Sequence, residues 1–552
     1  MRALAFGALL TVTGCIDVKP PRPPVARVPS IDRILDTIVA KPATGRALGL
    51  RDRFDGKVAD YSAAGVEARI AELVRAAGDL EAIDPATLDD DGRLDRELLR
   101  LAVAEELFQL REAKAWRRRP QFYEELFGLD SYLTRDYAPL DVRVRRLLTH
   151  VEASLRQTKH VRENLEGPLP EPFVKTDIGI YRGYAEYLSG DVVGVLAGVK
   201  EDALRREATA AVERLAREAT AIADHLETVE LPRADKSYVL GKERYQRLLA
   251  VQEALDVPLA DFERMAEADL QRNKAAYEAL RGSVTDSRPP IPELLSTATK
   301  LTFDAKAFLE QKGIVTVPPE GSIEVKETPP FMRWNSAFLD GPGPFDRPDL
   351  PSYYYITLPD PAWPEKEQQE YVMTRGVLLA TSVHEVFPGH FLHGLWIRRA
   401  PTRTQKMLAS YSFVEGWAHY GEQLMIEEGF GAASPESRLG QLGDALLRNC
   451  RFVVSIGLHT KNMSLEEAER RFVEDCFQDR ATAKQQAYRG TFDPGYFAYT
   501  LGKIQILELR EAARAALGAR FDQRRFHDAL LSHGAPPIPL VRERVLATLG
   551  AR

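Results

Sequence analysis

Cysteine is scarce in this chain of 552 residues: Cys15, Cys450 and Cys476 are all there is. That excludes a disulfide-dense scaffold, and neither late cysteine has the short spacing of a zinc-thiolate site. Cys450 and Cys476 could pair in an oxidising compartment or lie as isolated buried thiols, and the sequence leaves both open. Charge of one sign is lacking too. A formal net charge of −7 over this length gives no electrostatic footprint for nucleic acid, so none is expected as a partner. The local run Arg117-Arg118-Arg119 reads as a solvated helix end. No repeat of fixed period emerges, which argues against a solenoid. What is present is the composition of a soluble globular protein, 44% hydrophobic and 28% charged, with long stretches of Ala, Leu, Glu and Arg that favour helix. Length alone suggests about two to four domains.

The N-terminus stands apart. The apolar run Ala3 to Val12 is too short to span a bilayer but suits a signal peptide. It ends in Val12-Thr13-Gly14-Cys15, which resembles the bacterial lipobox, and that resemblance implies lipidation of Cys15. Residues 1–14 are therefore expected to be a signal peptide and 15–30 a Pro-rich tether that holds the rest off a membrane. No Asp follows Cys15 directly, which by resemblance to enteric sorting rules favours the outer membrane of the cell envelope.

From Ile31 onward the pattern is helical. Ala63 to Gly78, Asp91 to Trp116 and Leu140 to Leu165 repeat apolar residues at three- and four-residue steps. In Lys200 to Val229 the residues Leu204, Ala208, Val212, Leu215, Ala219, Ile222 and Leu226 form one stripe. Leu240 to Arg281 and Phe303 to Lys312 continue the theme. The texture changes between Gly313 and Pro361, where Ile323–Glu327 and Tyr353–Leu358 read as strands. Such a sheet, just before a metal-site helix, could bind an extended peptide along its edge, or its tyrosines could simply pack. Helices then resume over Glu365 to His390, Tyr411 to Glu428, Arg438 to Leu458, Leu465 to Ala483 and from Asp493 to about Leu517. The expected division is a helical N-terminal lobe, 31–312, and a catalytic lobe, 313–552.

Chemistry concentrates in one window. His384-Glu385-Val386-Phe387-Pro388-Gly389-His390 places two imidazoles around a carboxylate, the donor set of a hydrolytic zinc site. On a straight helix an i, i+6 pair is separated by about 120° and 9 Å. Pro388 removes a backbone donor and Gly389 tolerates unusual dihedrals, so the helix is expected to bulge or end there and let both rings face one point. Glu415, on the next helix, supplies a third ligand by reach, and a fourth position remains for water. Glu385 sits beside a ligand on another helix face, which suits a general base. His393 and His419 are rival ligands. Glu422 reads better as a carboxylate behind the ligands, or on the surface, than as the third ligand.

These motifs, together with Glu415-Gly416-Trp417-Ala418-x-Tyr420-x-Glu422, resemble the bacterial family known as domain of unknown function 885. Leu240-Gly241-x-Glu243-x-Tyr245 and Pro494-Gly495-x-x-x-Tyr499-x-x-Gly502 extend the resemblance over most of the mature chain. It implies a lipid-anchored or secreted zinc metallopeptidase related to the gluzincins, whose helical members include neurolysin and carboxypeptidase Taq. By that resemblance His384, His390 and Glu415 hold Zn2+, Glu385 is the base and Tyr499 stabilises the oxyanion, with Tyr496 as the alternative. His419 departs from the pattern, standing where the family has an apolar residue, so its role stays open.

The expectation is thus a mainly α, two-lobed helical metallopeptidase with a small β element beside its cleft, cleaving short peptides. Two rivals accompany it: a zinc amidase or esterase on envelope or small-molecule bonds, and a lipid-anchored binding protein with a structural metal. Exo- or endopeptidase preference, side-chain specificity and oligomeric state are not legible.

Overall fold

The computed structural model describes residues 29–551 except 286, 330, 331 and 334. The signal peptide, the tether up to 28 and the lipidation site Cys15 lie outside the described residues. The fold is mainly helical, with one three-stranded sheet among the described residues, and no helix there is long and apolar enough to cross a membrane.

In the N-terminal part the apolar stripe does what its spacing dictates. Helix Asp202–His225 buries Leu204, Ala208, Val212, Leu215, Ala219 and Ile222 to 3% exposure or less. They share one apolar core with helices Leu140–Gln157 and Glu171–Tyr187. The long element expected over Asp91 to Trp116 is instead broken. Helix Asp90–Leu107 passes into a wider turn at Phe108–Glu112, then reverses at Lys114, whose φ of 50° is left-handed. Arg117 pairs with Glu166, Arg118 donates to Ser237 and Arg119 donates to Gln121, so each cation of the basic run has an internal partner.

Leu240 to Arg281 also divides, into α1 (Lys242–Glu253) and α2 (Leu259–Arg281). Ala254 turns left-handed, at φ 52°, and Pro258, which lacks a backbone donor, ends the linker between them. Both helices bury Tyr245, Leu249, Phe262 and Leu270 against Phe452, Val454 and Phe497 from far along the chain. One apolar core therefore draws on both sides of the expected lobe boundary at 312.

The sheet comprises β1 (Ile323–Glu327), β2 (Ala337–Asp340) and β3 (Ser352–Ile356), in the order β1-β3-β2. β1 runs parallel to β3, with Val325 opposite Tyr354, and β2 runs antiparallel, with Leu339 opposite Tyr354. The tyrosine strand is thus central rather than an edge. Tyr354 is fully buried, its hydroxyl 3.2 Å from Ser382 Oγ. The edges are β1 and β2, and sequence reading missed β2.

Six helices carry the site: α3 (Arg375–Glu385), α4 (His390–Arg398), α5 (Tyr411–Glu427), α6 (Pro435–Thr460), α7 (Arg480–Phe492) and α8 (Ala498–Leu517). The single helix expected over Leu465 to Ala483 is two, Leu465–Glu474 and α7. Where α5 crosses α8, backbone meets backbone: a Cβ on Gly416 would fall 2.4 Å from Gly502 Cα, and one on Gly502 would fall 1.8 Å from the Ser412 carbonyl oxygen. Only glycine allows that approach. Cys450 of α6 and Cys476 form a disulfide, so the question left open by their isolation resolves to pairing.

Candidate metal centre

α3 ends at Glu385 and α4 begins at His390, so the helix breaks between the two histidines. Val386 leaves helical dihedrals at φ −120°, ψ −77°, and the Phe387–Pro388 peptide is cis. Gly389 is required by proximity, since a Cβ there would lie 1.6 Å from the His384 carbonyl oxygen. The Pro388 carbonyl accepts a hydrogen bond from Trp417 Nε1 at 2.7 Å, which ties the break to α5.

The consequence is convergence. The His384 and His390 ring centroids are 4.7 Å apart. Glu415 Oε2 lies 3.4 Å from His384 Nε2 and 3.5 Å from His390 Nε2. The three ligand atoms lie within 4.8 Å of one another and form a group able to hold a metal ion. Two ligands each ~2.0–2.1 Å from a shared tetrahedral zinc stand about 3.4 Å apart, so the observed separations are those of co-ligands. They are long for hydrogen bonds, and Glu415 Oε2 is a buried oxygen with no hydrogen-bond partner. A buried carboxylate oxygen left in that state needs a cation. Burial alone would raise the Glu415 pKa, but the facing imidazoles of His390 and His384 hold it well below the usual carboxylate range.

Glu422 sets the orientation of His384. It is 1% exposed. Its Oε1 is 2.7 Å from His384 Nδ1, and its Oε2 is 3.1 Å from His419 Nδ1. An ionised carboxylate only accepts, so His384 Nδ1 must carry the hydrogen and Nε2 presents its lone pair to Glu415 and His390. Arg448 Nη2 adds a contact to Glu422 Oε1 at 3.2 Å. Despite burial, Arg448 and His419 keep the Glu422 pKa far below its ordinary value.

The rival histidines are spent elsewhere. His393 Nε2 is 3.1 Å from the Gly534 carbonyl, and burial lowers its pKa to about 4. His419 faces Glu422, and burial, with Lys503 nearby, lowers its pKa to about 3. Neither contributes an atom to the three-residue group.

Glu385 Oε2 accepts the Leu339 backbone N–H at 2.9 Å, which ties this carboxylate to the sheet. Thr357 N donates to the Ser336 carbonyl across the β2–β3 pair. In an antiparallel ladder the hydrogen-bonding groups then alternate, so those of Ala337 and Leu339 point to the open edge. That edge faces Glu385, and an opening lined by Leu339, Leu350, Phe391 and Leu395 reaches His390 beside it.

Tyr499 and Tyr496 separate clearly. The Tyr499 ring stacks 6.4 Å from the His384 ring, at 19° between planes. Tyr496 is 0% exposed, its hydroxyl sealed in the core without a partner. Sequence reading missed Arg448, Arg451 and the Leu339 N–H. The two arginines do leave a trace, as cations inside the apolar run Leu446-Leu447 to Phe452-Val453-Val454. The backbone donor leaves none.

The DUF885 family, described as bacterial protein of unknown function, matches residues 42–545. The chain belongs to this family. No curated protein matches it. A presumed lipoprotein of unknown function from Shewanella oneidensis superposes with TM-score 0.76 at 22% identity, over 94% of this chain and 99% of its own. A second, from Colwellia psychrerythraea, gives 0.72 at 18% identity, over 95% and 98%. These likenesses show that the two proteins share this fold. Metallocarboxypeptidase 1 of Trypanosoma cruzi reaches only 0.35 at 13% identity, over 95% of this chain and 94% of its own, too weak a likeness to bear on function.

Proposed function

We propose that this DUF885 member is a zinc-dependent peptidase that hydrolyses short peptides. It would be held at the cell envelope, on the outer membrane, by a lipid on Cys15. The observation that carries the reading is the convergence of His384, His390 and Glu415, with one carboxylate oxygen left without a hydrogen-bond partner, beside a separate carboxylate at Glu385. The donor set fits zinc: two neutral imidazole nitrogens and one carboxylate make a catalytic rather than a closed structural site, because no fourth ligand joins them among the described residues. Zinc bound there would act as a Lewis acid on a carbonyl and lower the pKa of a coordinated water to about 7.

The chain's own groups divide the remaining work. An extended peptide pairs with the open edge of β2 through the N–H and carbonyl of Ala337 and the carbonyl of Leu339, while the Leu339 N–H stays with Glu385. Glu385 accepts a proton from the attacking water and delivers it to the leaving amine. Its bond from Leu339 N–H holds the carboxylate at the strand where the peptide lies, which fixes the base relative to the scissile bond. The Tyr499 hydroxyl donates to the carbonyl oxygen as charge develops there.

The test is Glu385→Gln. Purified parent protein is expected to contain about one equivalent of zinc and to cleave peptides in a chelator-sensitive way. The variant is expected to keep its zinc and lose at least a hundredfold in kcat/KM. Full activity in a zinc-loaded variant refutes the mechanism.

A further inference from the structure

Three guanidiniums crowd the tyrosines beside the metal centre, and their counter-charges do not match them. Arg448 Cζ is 5.6 Å and Arg451 Cζ 4.9 Å from the Tyr499 ring centroid. Arg489, from α7, donates to the Tyr411 hydroxyl at 3.0 Å, and the Tyr411 ring is 5.7 Å from that of Tyr499. Arg489 has its own carboxylate, Asp493, at 2.9 Å. Arg448 reaches Glu422 at 3.2 Å and Asp444 at 3.8 Å, though Glu422 also serves His384 and His419.

Arg451 has none. No carboxylate lies within ion-pair distance of it among the described residues, and its one hydrogen bond runs from Nε to the neutral Gln486 Oε1 at 2.9 Å. Yet it is only 8% exposed. Burial, and then repulsion from Arg489, push its pKa below the usual guanidinium value. A buried cation without a counter-charge is unfavourable. Unlike Arg448 Nε and Nη1, its Nη atoms are not among the sealed, unpartnered ones, so what exposure Arg451 keeps includes the donors it has free. Through Tyr499, Arg451 stands no farther than about 11 Å from the His384 ring. At ~3.3–3.6 Å per extended residue, that is a span of up to about three residues from a bond held at the metal centre.

We propose that Arg451, flanked by Arg448 and Arg489, is an anion subsite that takes a substrate carboxylate within about three residues of the scissile bond. The carboxylate is either the peptide's own C-terminus or an Asp or Glu side chain, and a guanidinium fork can meet either one through two parallel hydrogen bonds. This rests on the peptidase reading, because it assumes a peptide in the β2 cleft.

The test is binding, measured by calorimetry on the full-length, zinc-loaded Glu385→Gln protein. One tetrapeptide is used as free acid and as C-terminal amide, and the amide is also made with Glu or with Gln at the penultimate position. The charged member of one pair is expected to bind at least tenfold more tightly than its neutral counterpart, and which pair responds identifies the source of the carboxylate. Adding Arg451→Gln should reduce that ratio to under twofold. Gln486→Glu offers a second route that leaves Arg451 in place: an internal carboxylate should raise the unfolding temperature and abolish the preference. Equal binding of charged and neutral peptides, including no measurable binding of any, or a preference that survives both substitutions, overturns the subsite. Charge-dependent binding without hydrolysis by the parent sinks the peptidase reading alone. Hydrolysis without charge preference sinks the subsite alone.

Discussion

Glu422→Gln keeps the shape of a buried side chain and removes its charge, and the structure assigns that charge two separable tasks. The first is to compensate Arg448, 9% exposed, whose other carboxylate, Asp444, is 3.8 Å away. Removing one partner of a buried ion pair costs roughly 3–5 kcal/mol, and Asp444 should keep the loss near the lower figure, about 3 kcal/mol. The second task is to accept the His384 Nδ1 hydrogen at 2.7 Å. The amide oxygen still accepts there but no longer raises the basicity of the ring, so metal affinity should fall about 10- to 100-fold, or ~1.4–2.7 kcal/mol. Denaturant unfolding of metal-free protein reads the first quantity, and competition with a chromogenic chelator reads the second. The triple variant Glu422→Gln/Arg448→Met/Asp444→Asn separates them: with all three charges gone, stability should return to within about 1 kcal/mol of the parent while metal affinity stays low. If affinity recovers together with stability, Glu422 merely neutralises Arg448 and does not orient a ligand. If the single variant holds metal within twofold of the parent, the argument from the His384 hydrogen fails.

Three further outcomes are expected. Burial raises the Glu253 pKa from an ordinary 4.5 to about 7. Between those values the folded state binds more protons than the unfolded one, so stability falls as pH rises through the window and the loss is complete above pH 7. Glu253→Gln should therefore stabilise the protein by up to about 3 kcal/mol at pH 8 and little at pH 4, and parallel stability profiles would refute this. The disulfide closes a loop with a sequence separation of 26, worth about 3.5 kcal/mol by chain entropy, so Cys450→Ser/Cys476→Ser should unfold at clearly lower denaturant concentration. Cys15→Ser should move the protein from the membrane fraction to the soluble fraction without changing its metal content, and retention in the membrane fraction would exclude the lipid anchor.

Sequence carried a good deal of this and stopped at identifiable points. Helical stripes such as Leu204 to Ile222 were legible because burial of one face imposes a period of 3.6. The break before His390 was legible because Pro388 and Gly389 remove a donor and a side chain where a helix needs both. Helix ends inside Leu240 to Arg281 were not, since Pro258 alone does not show on which side the chain reopens. β2 escaped notice because four residues, Ala337-Phe338-Leu339-Asp340, are too few to display alternation. Arg448 and Arg451 escaped because a charge in a helix reads as solvent-facing until tertiary packing covers it. Cys450 and Cys476 sit on different elements, and only their docking decides whether they meet.

The glycine crossing of α5 and α8 has a consequence for tolerance to change. Glu415 immediately precedes Gly416, and Tyr499 lies one helical turn before Gly502 on the same face of α8. The spacing of these two residues is set where main chains touch, not by a layer of side chains. Swaps of Leu, Ile or Phe elsewhere in the core can accumulate without resizing that gap. A single methyl group at either glycine would widen it at once, leaving every chemically active side chain intact and out of register.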